Sequence, residues 1–139
     1  MKIRVRGGDI MIFFVFNSQE ERREYGESAF VEMQFCRLPH DTRLSDIVAV
    51  DKIKHWMSDS LYIPDENEFY TKYSHIFDCG TYNNLESGIM DLYGINYYAP
   101  TQIDSLIDKV RELKPIDYSV LIDWLERAKQ YNGFYILGI

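Results

Sequence analysis

The longest unbroken apolar run in the chain is Ile10–Phe16 (IMIFFVF). A short continuous run of this kind predicts a strand buried on both faces, and Gly7-Gly8 before it predicts a turn between two early strands. Residues 29–36 (AFVEMQFC) alternate instead. Ala29, Val31, Met33 and Phe35 fall on one face, and Glu32 and Gln34 on the other, the period of a half-exposed strand. The charged stretch 17–28 between these two segments fits either a short helix or a long loop.

Helical spacing follows. Ser45 is placed to cap a helix over 46–58, with Ile47, Val50, Ile53 and Trp56/Met57 as its inward stripe and Asp46 at the positive end of the dipole. After Pro64, residues Phe69, Tyr73 and Phe77 recur four apart and predict a helix over 66–77, ended by Cys79-Gly80. Asp65, Glu66 and Glu68 form the acidic first turn that such a helix favours. Residues 81–98 are ambiguous, with a strand preferred around 88–93 and a turn at Gly94.

The last third has the clearest pattern. Thr101 caps a helix over 102–113 with Ile103, Leu106, Ile107, Val110 and Leu113 inward, and Lys114-Pro115 breaks it. Asp117 caps a second helix over 118–131 with Leu121, Trp124/Leu125 and Ala128 inward. Asn132-Gly133 supplies a left-handed stop, and Phe134–Leu137 reads as a final buried strand. The elements predict an α+β fold: a small antiparallel or mixed sheet with three to four helices, packed on it as a single layer. No repeat, low-complexity tract or linker divides the chain, so residues 1–139 are expected to form a single domain. Met11 is a second candidate start, which would make residues 1–10 an N-terminal extension.

A chain of 139 residues buries roughly two-thirds of its unfolded surface and needs no disulfide or metal staple. The net charge of −7 is unevenly placed. Residues 1–44 hold seven basic and seven acidic groups, so the remaining eight basic and fifteen acidic groups carry all of it. That field repels nucleic acid and anionic membrane and draws basic partners. Two cysteines, Cys36 and Cys79, without CxxC spacing fit a reducing, cytoplasmic compartment, although the spacing leaves a disulfide between them open. Lys2, Arg4 and Arg6 before the apolar run imitate a secretion signal. Asp9 abuts that run, charges follow it, and no small-residue cleavage site appears. No stretch approaches the ~20 apolar residues of a spanning helix.

Chemistry is sparse. His40, His55 and His75 stand in no metalloprotease context, and no nucleophile elbow, dinucleotide fingerprint or phosphate loop occurs. His75 and Cys79 would share a helical face, but a zinc site needs a third ligand such as Cys36 or His40. The expectation is therefore no catalytic residue, no metal and no cofactor. The alternatives are a small cysteine-dependent enzyme using Cys79 with one of the histidines, and a non-catalytic adaptor subunit of a larger complex.

Two features point to a binding face. Asp104, Asp108 and Glu112 stack four apart along one helix line, where like charges repel and only Asp104 gains from the helix dipole; Arg111 offsets part of this. Just upstream, Asp91-Leu-Tyr93-Gly-Ile-Asn96-Tyr97-Tyr98 places three tyrosines in six residues, the composition of an interface. Covering the ends of the following helices is the other role open to Tyr97 and Tyr98.

The block from Tyr93 to Tyr98, the amphipathic helix after it, Lys114-Pro-Ile-Asp-Tyr118, and the Trp124 helix closing on Asn132-Gly-Phe-Tyr-Ile-Leu137 together resemble the small acidic immunity proteins of bacterial polymorphic and contact-dependent growth-inhibition toxin systems. The likeness covers roughly residues 88–139. Those families share no invariant site, so no residue role carries over by position. The resemblance implies a cytoplasmic, non-enzymatic protein that binds one cognate toxin domain, often a basic nuclease. On that expectation Tyr93, Tyr97 and Tyr98 are the anchors, and Asp91, Asp104, Asp108 and Glu112 the charge partners. The oligomeric state is left open.

Overall fold

The computed structural model describes residues 5–6, 9–25 and 29–138. In chain order the elements are β1 (Val5–Arg6), β2 (Asp9–Ile10), α1 (Gln19–Glu24), β3 (Val31–Phe35), α2 (Leu44–Ile47), a 3-10 turn (Val50–Lys52), β4 (Leu61–Ile63), α3 (Glu66–Tyr73), β5 (Gly80–Thr81), β6 (Ser87–Gly88), β7 (Ile95–Tyr98), α4 (Pro100–Leu113), α5 (Tyr118–Ala128) and β8 (Phe134–Leu137). β1 and β2 form a small ladder of their own; the turn expected at Gly7-Gly8 lies outside the described residues. The other six strands form one antiparallel sheet in the order β4-β3-β8-β7-β5-β6. This is the expected α+β fold, with five helices where three to four are predicted.

The register explains how the core divides. Leu61, Met33 and Ile136 lie side by side on one face, and Phe35, Phe134 and Tyr98 form the next row. Against this face α3, α4 and α5 pack the predicted stripes: Phe69 and Tyr73; Ile103, Leu106, Ile107 and Val110; Leu121, Trp124, Leu125 and Ala128. Trp124 stacks on Phe35 at 4.3 Å and meets Phe134 edge-on at 5.6 Å, while its indole N–H donates to the Asp59 carbonyl. The buried indole therefore keeps both its apolar contacts and its hydrogen bond. Gly133 is the left-handed residue expected, at φ +77, and a Cβ there would lie 2.1 Å from the Tyr98 carbonyl oxygen.

The opposite face carries Glu32, Gln34, Tyr135, Leu137, Ile95 and Tyr97, and it is covered too. Ile47, Val48, Leu38 and Ile53 lie over Tyr135 and Tyr97. Phe14, Phe16, Tyr25, Phe30 and Trp56 close over Tyr62. Glu32 and Gln34, expected on a half-exposed face, are buried, Glu32 to 2% exposure. The alternation of β3 is real, but its polar side faces protein.

That burial also undoes the helix expected over 46–58. α2 stops at Ile47, having begun after Arg43 rather than Ser45. Beyond it the backbone makes only short turn bonds, such as Lys52 N–H to the Ala49 carbonyl and Ile53 N–H to that of Val50, and its other groups bond to sheet and loop side chains. Tyr135 Oη donates to the Ile47 carbonyl at 2.6 Å, Asn83 to that of Val48 at 2.8 Å, and Gln34 to that of Lys54. Glu32 accepts from the backbone N–H of Trp56 and Met57 and from Ser60 Oγ at 2.9, 3.2 and 2.6 Å, with Gln34 Nε2 at 3.1 Å. Trp56 sits at φ +70, outside the helical region.

Other boundaries shift for similar reasons. The strand expected over 10–16 is reduced to β2 and a single antiparallel bridge, Phe14 to Tyr62, because the Ile12 and Phe13 N–H groups donate to Asp117 Oδ2 at 3.0 and 3.1 Å. Val15 is exposed. Asp117, expected to cap α5, is thus turned away from it at φ +60 and leaves the cap without a side-chain bond. The helix expected to run to 131 ends at Ala128, and that expected to run to 77 ends at Tyr73, although Phe77 stays buried. α4 starts at Pro100, ahead of the expected position, and Gln102 Oε1 accepts from the Ala99 N–H, so Thr101 is not its cap. The strand expected over 88–93 lies instead at 95–98, beyond the Gly94 turn.

These contacts are testable. Glu32→Ala leaves three donors of the 56–60 segment without their acceptor, and a stability loss of about 3–5 kcal/mol is expected by urea denaturation. A loss under about 1 kcal/mol would show that the carboxylate does not hold this segment. Burial also pushes the hydroxyls of Tyr62, Tyr73, Tyr97, Tyr98 and Tyr135 well above their ordinary value, with the charge of Glu32 adding to it at Tyr62 and that of Asp117 at Tyr73. Their protonated form is favoured in the folded state. This stabilisation is complete below the unfolded value of about 10 and is lost as pH rises above it. Each contributes a slope of up to about 1.4 kcal/mol per pH unit. Ultraviolet absorbance of tyrosinate should show these five ionising only with unfolding; their titration in a chain that remains folded would contradict the packing.

Candidate binding surface

The Asp91–Gly94 turn is built by β7. Asn96, fully buried, points toward the helical face, where its Nδ2 donates to the carbonyls of Asp91 and Ile136 at 2.8 and 2.9 Å and its Oδ1 accepts from the Asp91 N–H at 2.8 Å. Asp91 Oδ1 in turn accepts from the Tyr93 N–H at 2.9 Å, an Asx-type turn. One buried amide thus fixes the backbone that presents Tyr93, which is 82% exposed.

Tyr93 stands between two clefts. One, of about 310 Å³, is bounded by Tyr93, Val50, Ile53, His55, Asn83 and Leu137. The other, of about 370 Å³, lies between Tyr93, Asp91, Leu92 and Met90 and the outer side of α3 at Asn67 and Tyr70. Val50 and Tyr70, like Tyr93, are large side chains left exposed. Exposed apolar area gathered around an aromatic side chain on a fixed turn, with hollows beside it, is a surface shaped to receive another.

The expected site residues separate into three groups. Asp91 and Tyr93 are brought together as described. Asp104, Asp108 and Glu112 lie exposed along the outer line of α4. Asp104 pairs with Lys129 Nζ at 2.6 Å, and Lys129 also reaches Glu126 at 3.2 Å, so its ammonium is held above its ordinary value by those two hydrogen bonds. Arg111 turns to Glu126 on α5, 3.9 Å away, rather than to Asp108. Among the described residues no cation lies within 4 Å of Asp108 or Glu112, and no hydrogen bond or ion pair joins this acidic line to Tyr93.

Tyr97 and Tyr98 form the third group, and they are a correction. They alternate across β7 in a sheet covered on both faces, so both are buried, at 3% and 0% exposure. Their hydroxyls are used internally: Tyr97 donates to the Asn132 carbonyl at 2.7 Å and Tyr98 to that of Phe77 at 3.2 Å. They are core residues of the folded chain and offer no contact area to a partner.

Elsewhere, both cysteines are free thiols. Cys36 is buried, 3.4 Å from the Tyr135 hydroxyl, and Cys79 is half-buried. His75 and Cys79 lie beyond the end of α3, so no helix places them on one face. Among the described residues no group of three or more His, Cys, Asp or Glu side chains could hold a metal ion, and no helix is long and apolar enough to cross a membrane.

Val50 is hidden from the sequence pattern by its place in an apparent inward stripe; only the absence of that helix exposes it. The chain matches no protein-family model, no curated protein and no solved structure. The roles of the tyrosines separate in stability measurements. Tyr93→Ala should change unfolding free energy by no more than about 0.5 kcal/mol, whereas Tyr98→Ala should cost about 3–5 kcal/mol. Equal effects would place Tyr93 in the core as well.

Proposed function

We propose that this chain is a non-catalytic, toxin-neutralising protein of the immunity type, which binds a cognate basic toxin domain through a surface centred on Tyr93. The observation that carries this reading is the exposure of that ring on a turn fixed from below by Asn96 and Asp91, between two clefts. A preorganised aromatic anchor loses little entropy on binding, and such anchors dominate interface energetics. Asp91 beside it, and Asp108 and Glu112 without cationic neighbours among the described residues, supply charge for a partner rich in lysine and arginine. The overall −7 speeds the encounter. The resemblance of residues 88–139 to immunity proteins points the same way.

The test is bacterial survival with the upstream reading frame induced, with and without this chain. Restored growth supports the reading, and unaffected toxicity, or a harmless frame, removes it. With the complex in hand, Tyr93→Ala should weaken binding by at least about 30-fold, the ~2 kcal/mol of a hot spot. Asp108→Lys with Glu112→Lys should slow association roughly tenfold at low salt and hardly at all at high salt. Unchanged association at low salt would remove the acidic line of α4 from the interface.

A further inference from the structure

Arg22 on α1 is 8% exposed, an unusual place for a guanidinium. It stacks on the Trp56 indole, 3.6 Å from the ring centre, with the Phe30 ring at 5.9 Å. Cation–π contact replaces part of its hydration, but not its hydrogen bonds. Its Nε is buried without a hydrogen-bond partner. No carboxylate of the described residues lies within 4 Å of it.

Of the acids around this corner, Glu32 is occupied by Trp56, Met57, Ser60 and Gln34, Glu21 accepts from Asn17, and Asp59 is paired with Arg37 through Oδ2 while its Oδ1 is buried without a partner. Arg22 and Glu32 both act on the Tyr62 hydroxyl, in opposite directions, so neither charge is remote from this corner of the sheet. A buried cation without a counter-charge is strongly unfavourable unless something completes it.

Beside Arg22 is a cavity of about 100 Å³, bounded by Arg22, Trp56, Tyr62, Phe16, Asn17 and Ser58. That is the room of roughly three water molecules, enough for one oxyanionic group and too little for a nucleotide or a sugar. The indole covers one side of the guanidinium, whose Nε is sealed in the protein, which leaves its two Nη groups as a two-pronged donor. Such a fork matches two oxygens of a phosphate or a carboxylate. Asn17 and Ser58 offer further polar groups at the wall.

We propose that this cavity is an anion-binding site in which Arg22, packed over Trp56, takes a single phosphate or carboxylate group. It is separate from the Tyr93 surface and does not rest on the immunity reading.

Nuclear magnetic resonance on the full chain tests it, following the Arg22 Nε–H and Trp56 indole N–H resonances. Inorganic phosphate and, separately, acetate are titrated at constant ionic strength against chloride. Expected are saturable shifts confined to this corner, with millimolar affinity for at least one anion. Saturation by phosphate alone assigns a tetrahedral ligand, and by acetate alone a carboxylate. Arg22→Gln should abolish the shifts, and Arg22→Lys, which keeps charge without the fork, should weaken binding at least about tenfold. Shifts that rise linearly with both anions in the unmodified chain overturn the proposal, whether or not either variant folds; so does equal affinity in Arg22→Lys.

Discussion

The carboxylate of Glu32 is the constraint on which half of this structure depends. It stands in the middle of a sheet face, and four donors converge on it: two backbone N–H groups, a hydroxyl and an amide. Burying an ionised group is costly, and the cost is offset only when its lone pairs are filled. The groups that fill them belong largely to the 56–60 segment. That segment is thereby tied to the sheet along an irregular path that turns at 57–60. Trp56 is positioned over Tyr62 and beneath Arg22, stacked on the first at 5.6 Å and on the second at 3.6 Å. One charge therefore organises the aromatic corner and, with it, the only described cation that is buried.

The helical face follows a different logic. Its helices satisfy their own backbone, so apolar stripes alone decide how they pack. Phe35, Trp124 and Tyr131 stack together, Phe35 lying 4.3 Å from Trp124 and 4.6 Å from Tyr131. The acidic line of α4, which by itself costs helix stability, is partly offset across the α4–α5 pair by Lys129, which pairs with Asp104. Such exposed pairs are worth little each, which leaves Asp108 and Glu112 as the uncompensated part.

This contrast accounts for what was legible in the sequence. α4, α5 and β8 were readable because their stripes and stops are local signals, and the structure uses them nearly as written. The same holds for Phe69 and Tyr73 on α3. The 46–58 segment has an equally good helical stripe, and it misleads, because Ile47 is buried and Ile53 half-buried along an irregular path, several of whose backbone groups bond to Tyr135, Asn83, Gln34 and Glu32. These partners lie 20 to 88 residues away in sequence. Periodicity reports which side chains prefer burial and is silent on which acceptor a distant N–H will find. Asp117 is the same case in miniature: a good cap by sequence, drawn off by Ile12 and Phe13.

The site was legible to the same degree and for the same reason. Three tyrosines in six residues form an interface-like composition, but composition does not separate their roles. In a sheet open on one side, adjacent Tyr97 and Tyr98 would have placed one ring in solvent. Here the second face is closed over Tyr97 by Leu38, Ile47, Val48 and Ile53, so both are buried, and alternation along β7 carries no information about exposure. Only a residue in a turn escapes, and Tyr93, one position before Gly94, is that residue. The cleft beside this exposed anchor depends on the same cover, since Ile53 belongs to both. Loosening the 47–55 segment would uncover Tyr97 and Tyr135 and dissolve the cleft that Val50, Ile53 and His55 make against Tyr93. A partner that reads this surface is therefore reading the closure of the second face.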